Sequence, residues 1–160
     1  MKEGFTLFEG LTLLLILTLI TLLSQPYWYN INQRLVRSID EKRLLLFLRV
    51  IQSQANTQNT DYQLRVSRDL LQGRWCLSAQ LSNQPPCNCL QKERCLNQQV
   101  SIYFPHSAAR TMVVSNNYFP KEHIYFYGKR NTIKAANLSV QAENYQRVLR
   151  FADNGRIRLE

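Results

Sequence analysis

Residues 1–26, MKEGFTLFEGLTLLLILTLITLLSQP, are dominated by an apolar run from Phe5 to Leu23 that is 19 residues long. Wound as a helix at about 1.5 Å per residue, that run spans roughly 28 Å, enough to cross the hydrocarbon core of a bilayer. One residue in it is out of character. Glu9 is acidic, and a carboxylate in hydrocarbon costs about 2.5 kcal/mol or more unless a cation or a proton answers it. A secretory signal has a basic start, a shorter apolar core and a small-residue cleavage site after that core. Here the core ends in Ser24-Gln25-Pro26, and the small residue, Gly4, stands in front of it. The segment is therefore expected to be a membrane helix whose acid takes its cation from elsewhere.

Downstream, residues 31–54 (INQRLVRSIDEKRLLLFLRVIQSQ) continue in helical style. Ile31, Leu35, Ile39, Leu46 and Val50 recur at intervals near three to four with charges between them. Pro26 is expected to bend this helix where it leaves the membrane, and the Leu44–Ile51 stretch to pack on a sheet. The Gln, Asn and Thr cluster from Gln52 to Thr60 predicts the helix end and a loop. From there the pattern changes to short, partly alternating, aromatic or β-branched segments: YQLRVS, WCLSAQL, QVSIYF, TMVV, HIYFY, LSVQA, YQRVLRF and RIRLE. The predicted architecture is α+β: a helix over residues 5–54, with its transmembrane part at about 5–25, and an antiparallel β head over residues 55–160.

The 160 residues suffice for one core, and the formal charge is +9. From Ala55 onward 14 Lys and Arg face 7 Asp and Glu, so the head alone carries +7. Such a surplus favours an acidic partner, either nucleic acid or a membrane surface. The four cysteines, Cys76, Cys87, Cys89 and Cys95, are even in number and predict disulfides formed in an oxidising compartment. Of the three connectivities, Cys76–Cys95 with Cys87–Cys89 is the least favoured, because the C-x-C step places two near neighbours against each other. The gaps of 10, 1 and 5 residues do not fit zinc knuckles, and no metal or cofactor is expected. His106 and His123 stand in no nucleophile or paired-carboxylate motif, so they are expected to be ordinary strand or loop residues and the chain not to be an enzyme.

The last ten residues, FADNGRIRLE, carry Asn154-Gly155 between two alternating runs. That pair predicts a type I′ hairpin with positive φ at both positions. In the strand that follows, Arg156 and Arg158 face one side, and Ile157 and Leu159 the other. Two guanidiniums about 7 Å apart on one face suit forked bonds to successive phosphates. Arg150, Arg147, Arg130, Lys134 and Lys129 are placed to extend that patch.

The string G-F-T-L-F-E, followed by an apolar stretch ending in Pro, resembles the N-terminus of type IV pilins and type II secretion pseudopilins. The resemblance implies that residues 1–4 are a leader, that a prepilin peptidase cuts between Gly4 and Phe5, and that Phe5 is then N-methylated. It implies that Glu9 pairs, during assembly, with the Phe5 ammonium of a neighbouring subunit, each charge offsetting the burial of the other. Other pilins and an inner-membrane assembly platform would be the partners. The chain would be single-pass in the inner membrane with its head in the periplasm, and at the cell surface in a pilus after assembly. The closing hairpin with G-R-x-R is similar to that of the FimT/GspH group of minor pilins and pseudopilins. In the competence-associated branch this element is implicated in binding double-stranded DNA, and here it falls on Gly155, Arg156 and Arg158. The alternative within the same group is an H-type minor pseudopilin, a structural part of a type II secretion pseudopilus with no need for DNA.

Overall fold

The computed structural model describes residues 7–91, 95, 99–116, 123–142 and 145–160. Its first element, α1 (Leu7–Gln58), is 52 residues long and passes through Pro26 without interruption. Hydroxyls in its apolar half find partners within the helix itself. Thr12 donates to Glu9 O at 2.9 Å, Thr18 to Leu15 O at 2.8 Å, Thr21 to Thr18 O at 2.9 Å and Ser24 to Thr21 O at 3.0 Å. These back-bonds are what a surface without water requires.

The helix outlasts its expected end at residue 54 and runs to Gln58. Tertiary contacts override the polar composition of that last turn. Ile51 and Ala55 are buried, Gln52 Nε2 donates to Gly155 O at 2.8 Å, and Asn56 Nδ2 donates to Asn131 Oδ1 at 2.6 Å. Asn59 then stops the helix with a left-handed φ of 51°, and Thr60 N closes the turn on Ala55 O at 3.1 Å.

The head is two antiparallel sheets. Sheet A contains β1 (Tyr62–Asp69), β2 (Arg74–Leu81), β3 (Ser101–Tyr103), β5 (His123–Tyr127) and β6 (Thr132–Ile133), in the order β3-β2-β1-β5-β6. Sheet B contains β4 (Met112–Asn116), β7 (Ala136–Ala142), β8 (Tyr145–Phe151) and β9 (Ile157–Leu159), in the order β4-β7-β8-β9. Each segment expected to be extended supplied a strand, while β6 has only two residues and left no pattern to read. Alternation sorts the faces. Leu64, Leu77, Ile124 and Phe126 of sheet A and Leu138, Leu149 and Phe151 of sheet B meet Leu44, Leu48 and Ile51 of α1 in one core. Phe126 and Phe151 join the sheets edge to face, with centroids 6.3 Å apart.

Two further anchors fix the helix to the head. Asp40, only 4% exposed, accepts from the His106 N–H at 2.9 Å through its carboxylate and from the Tyr103 hydroxyl at 3.2 Å through its carbonyl. Burial, and then the nearby Asp40 charge, pushes the Tyr103 phenol well above its ordinary range. At the other anchor Gly128 lies against the helix end, where any Cβ would strike the carbonyls of Ala55 and Thr60. The cysteines pair Cys76–Cys89 and Cys87–Cys95, which staples the β2–β3 connection to β2 and avoids the disfavoured arrangement.

Candidate functional site

The C-terminal hairpin is built by register. β8 and β9 pair Leu149 with Leu159, Arg150 with Arg158 and Phe151 with Ile157. Partners across a ladder share a face, so the apolar pairs go to the core and the arginine pair to solvent. A two-residue Asn154-Gly155 turn would instead have set Phe151 opposite Arg158 and flipped one of them to the wrong side. The chain avoids this with a longer turn. Gly155 N donates to Ala152 O at 3.0 Å, Ala152 N donates to Arg156 O at 2.9 Å, and Gly155 alone in the turn takes positive φ, at 80°. The expected type I′ turn is therefore corrected to a three-residue turn ending in a glycine bulge.

The turn is tied down on every side. Asp153 Oδ1 accepts from Ala135 N at 2.9 Å, Asn154 Oδ1 accepts from Arg156 N at 3.2 Å, and Gly155 O accepts from Gln52 Nε2 at 2.8 Å. A Cβ on Gly155 would lie 2.7 Å from Asn131 O. Gln52 and Asn131 escaped the sequence reading because their partner is far along the chain; the Gly-Lys-Arg-Asn turn composition around Asn131 was the available signal.

The arginines separate into groups. Arg158 in β9, an edge strand of sheet B, and Arg156 just before it are both exposed. Arg150 lies directly opposite Arg158 and holds Glu160 Oε2 at 3.1 Å through its Nε. Like charges this close oppose each other, and one carboxylate beside three guanidiniums leaves the face basic. Arg147 does not join them. It turns to the helix, with its Nε 3.5 Å from Glu41 Oε1 and its guanidinium 5.5 Å from the centre of the Tyr145 ring, which Arg37 also approaches at 5.7 Å. Burial raises the Glu41 carboxyl above its ordinary value, and Arg147 opposes that shift. Arg130 is exposed in the β5–β6 turn, one residue before Asn131, whose carbonyl lies against Gly155, whereas Lys134 follows β6 across from Tyr125.

At the other end of the molecule, Glu9 is exposed on the first turns of α1. Gly4 and Phe5 lie outside the described residues. The α1 helix is long and apolar enough to cross a membrane, and its most apolar window is not buried within the chain.

No family profile matches the chain. An uncharacterized protein of Haemophilus influenzae is 34% identical over 161 residues, covering 100% of this chain and 95% of that protein. The crystal structure of the Pseudomonas aeruginosa type IV minor pilin FimU superimposes with a TM-score of 0.52 at 16% identity, over 77% of this chain and 91% of that one. The chain belongs to the family of that Haemophilus influenzae protein, and its fold, a long apolar helix carrying antiparallel sheets, is the type IV pilin fold.

Proposed function

We propose that this chain is a minor type IV pilin that binds double-stranded DNA through its C-terminal hairpin during natural transformation. The α1 helix would hold it in the inner membrane with its head in the periplasm. Prepilin peptidase cleavage after Gly4 would release it to other pilins at the assembly platform.

The observation that carries the DNA reading is the cluster of Arg150, Arg158 and Arg156 on one exposed sheet edge. Assembling three guanidiniums there costs stability in the free chain, and a polyanion relieves that cost. The tied turn holds them before any ligand arrives, so little ordering is left for binding to supply. Contacts would go to phosphates and would be largely independent of sequence.

The test is duplex binding by the full-length chain in detergent, measured across salt concentrations. Arg156→Gln with Arg158→Gln should weaken unrelated duplexes equally and flatten the log–log salt slope by about 0.9 for each lost contact, so by nearly 2. Equal affinity and slope for wild type and double variant would make the hairpin purely structural and move the H-type pseudopilin reading ahead.

A further inference from the structure

The outer face of sheet A carries two kinds of surface. Over β2 and β1 it is roofed by the disulfide-stapled loop. Gln63 Nε2 donates to Gln84 O at 2.8 Å, Gln80 Nε2 donates to Pro85 O at 2.6 Å, and Ser78 Oγ donates to Cys87 O at 3.0 Å. All three residues are buried under it. Over β5 the same face presents rings. His123, Tyr125 and Tyr127 alternate with the buried Ile124 and Phe126, so they share the outer side and are partly exposed.

The rings are ordered. Tyr125 and Tyr127 stack with centroids 6.3 Å apart and planes within 17°, and His123 meets Tyr125 edge-on at 6.4 Å. Cations border them. Arg65 pairs with His123 across β1 and β5, and Lys134 faces Tyr125, to whose carbonyl its N–H donates at 2.9 Å. Lys129 and Arg130 are exposed in the turn after Tyr127 and the buried Gly128.

We propose that this strip is a stacking platform for single-stranded nucleic acid, distinct from the arginine hairpin on sheet B. Ring faces in a row beside a row of cations engage bases and phosphates together, which is how strands are held without regard to sequence. In a duplex the base faces are already covered by their neighbours, so the tyrosines select unpaired strands. Neutral sugars also lie on tyrosine faces, but the border of Arg65, Lys129, Arg130 and Lys134 favours a polyanion. The inference stands on sheet A alone and survives if the hairpin proves structural.

The experiment uses the full-length chain in detergent and three labelled probes: oligo-dT, an abasic strand of equal length and charge, and a short duplex. Wild type should bind oligo-dT at least about fivefold more tightly than the abasic strand, the lower end of what one stacked base contributes. Tyr125→Val with Tyr127→Val keeps residues suited to strands and removes the ring faces. This variant should lose at least about that factor for oligo-dT while keeping its duplex affinity and melting temperature. Phenylalanine at both positions should restore oligo-dT binding. Arg156→Gln with Arg158→Gln should show the reverse pattern, losing the duplex and keeping the oligo-dT preference over the abasic strand. Equal binding of oligo-dT and the abasic strand by wild type would overturn the platform, whether or not the valine variant folds. So would an unchanged oligo-dT affinity in a folded valine variant, or binding of an acidic polysaccharide as tight as that of oligo-dT.

Discussion

Gly155 answers a backbone demand and a packing demand at one point. Its φ of 80° is one that L side chains rarely adopt, and Asn131 O stands 2.7 Å from where a Cβ would go. Gly155→Ala should therefore destabilise the head by about 1–3 kcal/mol, the usual cost of forcing a side chain into such a conformation. Thermal unfolding of the two proteins measures it, and an unchanged midpoint would mean that the turn relaxes freely. Because Gly155 O also receives the Gln52 amide, the same change should shift Arg156 and weaken duplex binding without removing a charge. The outward placement of Arg156 and Arg158 was legible from strand alternation alone. The type I′ turn expected from Asn-Gly was wrong, because the local signal and the register conflict. Requiring Phe151 and Ile157 to share a face settles that conflict in favour of the longer turn.

Between elements, the contacts that hold α1 against the head are long-range, and they explain where the sequence was silent. The Leu44–Ile51 stretch packs on the sheets as expected, through Leu44, Leu48 and Ile51. The spacing of Ile31, Leu35, Ile39, Leu46 and Val50 instead traced a stripe that is exposed, because on a helix this apolar spacing alone does not say which face meets the head. The last turn to Gln58 is stabilised by Gly155 and Asn131, roughly 75 to 103 residues away along the chain. The disulfides were legible as an even count of cysteines, and their pairing came from the structure. Cys76→Ser should open the roof over sheet A and cost about 2–5 kcal/mol, as removal of native bridges does in small exported domains. Denaturant unfolding with and without reductant checks it: the variant and reduced wild type should approach each other. At the helix, Glu41 is shifted upward from 4.5 by burial, against the pull of Arg147. A carboxyl whose folded value exceeds its unfolded value favours the folded state most when protonated, and loses that advantage as pH rises through the folded value. Glu41→Gln mimics the protonated form, so its melting temperature relative to wild type should climb between acidic and neutral pH. A fall over that range would show that the Arg147 pair outweighs burial.

For the molecule as a whole, the demand comes from its first turns. The described part of α1 leaves Leu7, Phe8, Leu11, Leu14 and their neighbours exposed along its apolar half, a surface that only lipid or other apolar helices can cover. Glu9 lies on that same exposed stretch, and a carboxylate packed among apolar helices is costly unless a cation or a proton answers it. On the pilin reading the cation is the Phe5 ammonium of the next subunit, which exists only after Met1–Gly4 have been removed. Intact mass of the membrane-extracted protein should show the loss of those four residues and one added methyl group. Glu9→Val separates the two roles of the segment. It makes the run more apolar, so membrane insertion should persist, while each buried Phe5 ammonium loses its partner. Breaking one half of a buried pair costs about 3–5 kcal/mol, which is roughly 150-fold or more in an assembly equilibrium. Incorporation into sheared fibres, scored against membrane-retained chain, should therefore collapse while the melting of the head, more than 30 residues away along α1, stays the same. Glu9→Asp, keeping the charge on a shorter arm, should recover part of the incorporation. Normal incorporation of the valine variant would mean that the carboxylate serves no pairing at all.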